Sequence, residues 1–505
     1  MRTFSQSSFI MNRFLQWKWA LLAPFFGALL SFGFAPSALA YLPLLSLGFF
    51  YGFCRQPSLK AAVVTGYGFG VGLFTAGIWW AYISIHDFGG ADAFSAGLLT
   101  ALLIAFWSLF PALTAGLMAK CSSSPVAVLR CLLAALAWVG VEVVRGDWVL
   151  NGFPWLQVGY SQIATPLAGY VPLLGVYGTG FLLMFSAALL VETGRRQLSV
   201  RAAFLLLTLI FGSGQMLSQV QWTQPVGQPV TVTLIQGNID QKLKWLPNQR
   251  QKTLSLYQDL TEQHWDSDVI IWPETSVPAF MGDVKEAFLE PLASKAREHG
   301  VDLVISLPVR GEGKTYYNSV LTLGRQEALY HKIHLLPFGE YLPLQPVSGW
   351  VMDRLEIPLG SFTAGQEAQP LLQAGGYPFV TTICYEDAFG DQVRRQAGQA
   401  AYLVNVTNDG WFGVSEEPYQ HMQMAQMRAL ETGRYLLRAT NTGLTGFVKP
   451  NGQLVKQAPL LTTTALTDKI IPMTGTTPYM RLGDKGVFSG LIMLLGLAYG
   501  LYGRR

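Results

Sequence analysis

Two textures divide the chain. Apolar residues follow one another almost without charge from about Trp19 to Phe34, Tyr41 to Phe53, Ala61 to Ile85, Ala93 to Met118, Pro125 to Val144, Tyr170 to Val191, Ala202 to Leu217 and Gly486 to Leu501. Most of these segments approach the roughly 20 residues that a helix needs to cross a bilayer. The pattern therefore predicts eight transmembrane helices. Between about Gln221 and Asp484 it changes to short β-branched runs that end in polar or turn residues: "VTVTLIQGNI", "DVIIWPET", "DLVISLPV", "SVLTLG", "FVTTICYE" and "AYLVNVTN". Helical patterns separate them, namely "NQRQKTLSLYQDLTEQHW", "VKEAFLEPLASKAREHG" and "YQHMQMAQMRALETGRYLLRAT". Strands alternating with helices predict an α/β layered domain of about 250 residues, large enough for its own core. The expected division is residues 1–220 with seven helices, 221–484 as the α/β domain, and 485–505 as an eighth helix with a tail.

Composition supports a membrane protein. Half of the 505 residues are hydrophobic, 13% are charged, and mean hydropathy is positive. A net charge of +4 without any block of like charge argues against a nucleic-acid partner. The placement of basic residues carries more information. Arg2, Arg13 and Lys18 precede the first apolar segment, Arg55 and Lys60 follow the second, Lys120 and Arg130 flank the gap after the fourth, Arg195, Arg196 and Arg201 follow the sixth, and Arg504 and Arg505 end the chain. The alternate loops "APSAL" and "HDFGGAD" have none, and "RGDWVLNGFPWLQVGYSQIATPLAG" has only Arg145. By the positive-inside rule both termini face the cytoplasm and the α/β domain faces outward. The first segment, with "PSALAY" after it, also imitates a cleavable signal peptide. Apolar sequence resumes at Tyr41, which reads better as a hairpin between two membrane helices.

That topology isolates one thiol. Cys54, Cys121 and Cys131 fall toward cytoplasmic ends, leaving Cys384 in "TTICYEDAFG" with no disulfide partner. An unpaired thiol in an oxidising compartment is either a buried, inert small hydrophobe or a reactive nucleophile. Glu274 in "IIWPET" follows an apolar strand and a proline; the alternative there is a solvated loop acid. Lys332 and, eight residues on, Glu340 lie in "HKIHLLPFGEYLP", where the alternative is a lysine snorkelling from a partly buried strand. A thiol nucleophile needs a base, and the oxyanion it creates needs a positive donor. Glu, Lys and Cys supply those roles.

Glu274 in "WPET", Lys332 in "HKIHLLPFGE" and Cys384 in "ICYED" resemble the Glu-Lys-Cys triad of the nitrilase (carbon-nitrogen hydrolase) superfamily. A domain of that kind placed before the last of eight membrane spans resembles, specifically, the bacterial apolipoprotein N-acyltransferase family. The likeness extends over "GFPWLQVGYSQ", "QGNIDQKLKW", "TNDGWFG" and "QMRALETGRYLLRATNTG". It implies an αββα sandwich on a polytopic helical membrane domain. It also implies fatty acyl transfer from a phospholipid, usually phosphatidylethanolamine, to the α-amino group of an S-diacylglyceryl cysteine. Under the resemblance Glu274 is the general base, Lys332 stabilises the oxyanion and Cys384 carries the acyl group. Glu340 is the supporting acid, Tyr385 and Glu386 are the pair after the nucleophile, and Trp245 is a functionally important tryptophan. The mild departures are Gly410 in "TNDGWFG" and an unmatched tail before Arg13.

Trp245, Phe338, Trp411 and Phe412 could line an acyl pocket or belong to an ordinary core. No cofactor is expected, and no metal, because the six histidines have no metal-ligand spacing. The expected partners are the phospholipid donor, the diacylglyceryl apolipoprotein acceptor and the bacterial inner membrane, with the chain acting as a monomer. Two competing functions are a membrane-tethered amidase or nitrilase using water as acceptor, and a transporter or non-enzymatic lipid-binding protein, for which Glu142 is the clearest intramembrane charge.

Overall fold

The computed structural model describes residues 19–55, 58–122, 124–313, 315–343, 349 and 362–502. Arg2, Arg13, Lys18, Arg504 and Arg505, which contribute to the basic-loop pattern, lie outside them. The described chain forms two compact units. One comprises the residues up to Ala81, Ala96–Val220 and those from Leu482 onward; the other comprises Tyr82–Ser95 and Gln221–Arg481.

The first unit is helical. Leu59–Ile78, Ala93–Cys121, Ala127–Asn151, Pro166–Gly194 and Val200–Leu217 are long and apolar enough to cross a membrane, by length and composition. Trp19–Ser31 and Leu42–Cys54 are apolar helices of shorter length. The last apolar segment is helical within Pro478–Tyr502, where Gly483 (φ 60) breaks the helix. Small residues set the spacing between helices. A Cβ on Gly66 would come within 2.5 Å of Ala115 Cβ, and one on Gly72 within 1.8 Å of the Pro24 carbonyl oxygen. Helices in lipid depend on such close approach because no hydrophobic force drives them together. The "GFPWLQVGYSQ" loop folds into this unit rather than lying over it. Arg145 donates to the Phe153 and Trp155 carbonyls at 2.8 and 2.6 Å, and Glu142 accepts from the Val158 amide at 2.9 Å. The most conspicuous intramembrane acid thus has a structural employment.

The second unit contains two six-stranded sheets. The first comprises β2 (Val230–Gln236), β3 (Val269–Ile271), β4 (Asp302–Arg310), β5 (Tyr316–Leu323), β6 (Ala328–His331) and β13 (Thr464–Ile470), in the order β13-β2-β3-β4-β5-β6. The second comprises β7 (Leu372–Ala374), β8 (Tyr377–Ile383), β9 (Tyr402–Thr407), β10 (Leu436–Thr440), β11 (Gly446–Val448) and β12 (Leu454–Gln457), in reverse numerical order. In addition, β1 (Gln224–Pro225) pairs with β14 (Met473–Thr474). The centre of each sheet is parallel, β2-β3-β4 in one and β8-β9-β10 in the other.

Alternation along these strands builds four layers. Val232, Leu234, Val269, Ile271 and Val304 join Tyr402, Val404 and Val406 in one core between the sheets. Their neighbours Ile235, Ile270, Leu303 and Ile305 face the opposite way and pack with helical residues such as Leu254 and Leu292. Leu403 does the same on the far side with Ala425 and Ala429. Period-two side chains with both faces apolar require a cover on each face, so helix, sheet, sheet and helix stack in that order. Each fully buried Val, Leu or Ile contributes about 1.5–3 kcal/mol.

One expected helix is shorter than its pattern. "YQHMQMAQMRALETGRYLLRAT" is helical only over Glu417–Thr432; Gly433 takes the left-handed conformation (φ 59) that stops the helix, and Leu436–Thr440 becomes β10. Pairing with β9 on one side and β11 on the other outweighs the helical periodicity there.

Candidate active site

The site residues follow strand ends. Glu274 comes three residues after β3, Lys332 directly after β6, and Cys384 directly after β8. The backbone turns sharply at or near three of the candidate residues. Cys384 itself has φ 52, Thr275 beside Glu274 has φ 49, and Phe338 near Glu340 has φ 63. Non-glycine residues in this region cost of order 1–3 kcal/mol each and persist where surrounding structure imposes them.

Asn318, from the middle of β5, joins the acids. Its Nδ2 donates to Glu274 Oε1 at 2.7 Å and to Glu340 Oε1 at 3.2 Å. Lys332 Nζ lies 2.8 Å from Glu340 Oε2 and 3.9 Å from Glu274 Oε1. Glu340 Oε2 also accepts from the Leu336 amide at 2.8 Å. Glu274, Lys332 and Glu340 are all buried, which overturns the solvated-acid and snorkelling-lysine alternatives. Another cation lies close by: buried Lys244 donates to the Glu274 carbonyl at 3.1 Å.

Desolvation, opposed by Lys332 and reinforced by the Glu340 charge, raises the Glu274 carboxyl above the ordinary carboxylate range. Desolvation alone would lower Lys332, but Glu340 and Glu274 overcome it and hold the ammonium charged. Cys384 keeps part of its surface exposed; desolvation and the Glu274 charge push its thiol up to about 12, while Lys332 and His421 pull it down. Burial pushes Lys244 down to about 8. A high-pKa thiol beside a raised carboxylate and a fixed cation is suited to proton transfer coupled to nucleophilic attack.

Glu386 fastens two of these turns together. Its carboxylate accepts from the Ile333 and His334 amides at 2.7 and 3.0 Å, just after Lys332, and from the Ile383 amide at 2.8 Å, just before Cys384. Tyr330 Oη donates to it as well, at 3.0 Å. Tyr385 is buried, its ring edge-on to Phe389 at 5.1 Å. Trp245, Phe338 and Trp411 are exposed, at 51, 37 and 41%, so the ordinary-core alternative fails for all three. Trp411 meets Phe88 edge-on at 5.9 Å, and Lys242 lies over the Phe88 ring.

Sequence spacing also missed a buried charged group. Asp409, Glu417 and His421 bring three ligand-type atoms within 4.8 Å of one another. Arg438, 3.3 Å from Asp409 Oδ2, already supplies positive charge there, so the group reads as an ion-pair network. The four cysteines are free thiols.

Residues 231–479 match the family described as carbon-nitrogen hydrolase, and residues 26–189 match the apolipoprotein N-acyltransferase N-terminal domain. The chain is 49% identical over 471 residues to the apolipoprotein N-acyltransferase of Methylococcus capsulatus, covering 92% of each. It is 43% identical to that of Nitrosomonas europaea over 94% of this chain and 96% of the other, and 41% identical to that of Pseudomonas aeruginosa over 95% and 96%. Among solved structures it is similar to the C. elegans NitFhit protein, with 17% identity, TM-score 0.39, and coverage of 53% of this chain and 65% of that one. It is also similar to a nitrilase-superfamily amidase from Nesterenkonia, with 19% identity, TM-score 0.37, and coverage of 53% and 98%.

Proposed function

This chain belongs to the apolipoprotein N-acyltransferase family, and on that premise we propose how its residues move the acyl group. Glu274 takes the Cys384 proton, and the thiolate attacks the ester carbonyl of a phospholipid. Lys332 stabilises the resulting oxyanion. Collapse expels the lysophospholipid alkoxide, which recovers the proton from Glu274 and leaves an acyl thioester on Cys384. The α-amino group of a diacylglyceryl cysteine then attacks, Glu274 takes its proton, and the thiolate leaves as the amide forms and recovers that proton from Glu274. Phosphatidylethanolamine is the proposed donor. Glu340 and Asn318 orient Lys332 and Glu274, Glu386 and Tyr385 hold the nucleophile turn, and Trp245, Phe338 and Trp411 meet the lipid substrates.

The observation that carries this reading is the buried group of Glu274, Lys332, Glu340 and Asn318, linked by bonds of 2.7–3.2 Å, of which the Glu274 and Lys332 charges shift the Cys384 thiol in opposite directions. A thioester suits the task because an amine attacks it readily, provided water is kept out. Both substrates are lipid-anchored, which accounts for a catalytic domain carried on the same chain as membrane helices. The proposed division is 1–220, 221–484 and 485–505, with the central part periplasmic, both termini cytoplasmic, and a single chain sufficient for activity. A reporter fused after Gln221 should be exported and one after Arg196 retained; the reverse pattern overturns the orientation.

One Cys serving two substrates in turn requires ping-pong kinetics. Without acceptor, lysophospholipid should appear as a burst stoichiometric with enzyme, becoming continuous once apolipoprotein is added. Intersecting double-reciprocal plots with no burst would exclude the covalent route.

A further inference from the structure

"TNDGWFG" and "QMRALETGRYLLRATNTG" lie outside the Glu-Lys-Cys group, yet the fold brings residues from both to the base of the nucleophile turn. Asp409 comes from the first and Arg438 from the second; His421 lies on the helix Glu417–Thr432, and Asp387 on the nucleophile turn itself. All four are buried.

His421 sits at the centre. Its Nε2 is 2.9 Å from Asp387 Oδ1 and 3.3 Å from the carbonyl oxygen of Cys384, and its Nδ1 is 3.1 Å from Asp409 Oδ1 and 3.4 Å from Glu417 Oε1. Arg438 bridges the same acids, 3.0 Å from Asp387 Oδ2 and 3.3 Å from Asp409 Oδ2. Ionised carboxylates only accept hydrogen bonds, so a ring nitrogen facing one must carry a proton. Here both nitrogens face a carboxylate that also pairs with Arg438, and a neutral imidazole would set a lone pair against one of them. The geometry therefore calls for an imidazolium. Asp387 and Asp409 accordingly hold His421 well above its ordinary value, although desolvation and Arg438 oppose them. Burial and the Asp409 charge push Glu417 up to about 7.

We propose that His421 is a positioning residue for the acyl transfer: its imidazolium fixes the Cys384 peptide in the left-handed conformation and lends positive charge to the thiolate that forms there. This rests on Cys384 being the acyl carrier. Below about pH 7, where Glu417 is protonated, two anions, Asp387 and Asp409, balance two cations, His421 and Arg438; above it Glu417 adds a third anion. Neutralising His421 removes one positive charge from this group whatever the state of Glu417, while Glu274 still opposes the thiolate, and the thiol becomes harder to ionise. Asn405 donates to the same Cys384 carbonyl at 3.3 Å without bringing charge; its Oδ1 also accepts from Arg438 at 2.6 Å, but Arg438 keeps Asp387 and Asp409 as partners without it, so its removal provides a control that leaves the charges in place.

The test is the pH dependence of Cys384 alkylation by iodoacetamide, followed by peptide mass spectrometry on the full chain in detergent, alongside turnover. In His421→Gln the alkylation profile should move to higher pH. At a fixed pH below the thiol titration both alkylation and kcat should fall about 10-fold, the equivalent of one pK unit, with KM for the phospholipid unchanged. Asn405→Ala should slow turnover while leaving the profile in place. A wild-type profile in His421→Gln, or an equal shift in Asn405→Ala, overturns the proposal. Should His421→Gln not fold, the exchange of the His421 Cε1 hydrogen in the wild-type chain gives the answer by mass spectrometry: a titration midpoint above about 6.5 supports the imidazolium, and one at or below it overturns it. If alkylated Cys384 still turns over, the acyl-carrier reading has failed instead, and that result is separate from the profile.

Discussion

Each unit of this chain buries acids among cations, and the two do so differently. In the helical unit Glu192 holds three donors. Its carboxylate accepts from Tyr51 Oη and Arg55 Nη1 at 2.6 Å each and from buried Arg130. In the α/β unit Glu274 accepts, among the described residues, one side-chain hydrogen bond, from Asn318, and its lysine stands back at 3.9 Å. A carboxylate that holds three donors, two of them guanidinium groups, is a fastener, because taking a proton would cost it both ion pairs. One with spare capacity beside a cation can take a proton and return it. The contrast separates charge used for structure from charge used for chemistry.

Substitutions test that contrast, beginning with the reacting group. Cys384→Ser should leave the fold intact and reduce turnover on the order of 10⁴-fold or more, as loss of the nucleophile does in other covalent enzymes; the readout is amide product per folded enzyme. A hydroxyl at its ordinary pKa is a far weaker nucleophile than a thiolate. Lys332→Ala should diminish the lysophospholipid burst rate about 100-fold or more, in line with removing other oxyanion donors. A normal burst would reassign Lys332 to the fastener class.

Glu192→Gln should do the opposite of these. Leaving Arg130 and Arg55 without their anion should destabilise the helical unit on the order of 3 kcal/mol, read as a lower Tm in detergent, with kcat per folded molecule unchanged. An equal loss of kcat would break the comparison. The smallest effect is expected from the Glu340 charge. Glu274 must be ionised to act as base, and its pKa is raised, so activity is present above that pKa and lost as pH falls through it. Glu340→Gln removes the like charge that helps raise it, and the acid limb of kcat/KM should move to lower pH. A limb that moves upward would mean that Glu340 acts on Glu274 through Lys332 alone.

The sequence made some of this readable. Apolar runs ending in polar residues located β3 and β8, and with them Glu274 and Cys384, because a strand buried on both faces leaves an uninterrupted apolar record. The helices were legible for the same reason. Asn318 was not, since a polar residue within β5 looks like any solvent-facing strand position until Glu274 and Glu340, 44 and 22 residues away, meet it. Lys244, His421 and Arg438 were hidden similarly: a buried charge is defined by partners distant in sequence, and alone it reads as surface. Local periodicity also misled at Leu436–Thr440, where pairing in the sheet decided the outcome.

The central claim is that the open carboxylate serves a thiol that carries the acyl chain. Purified enzyme incubated with a phospholipid of one defined acyl chain, without acceptor, should gain the mass of that single acyl group. Peptide mapping should put it on Cys384, and added apolipoprotein should discharge it. An adduct of the same mass persisting in Cys384→Ala would contradict the account.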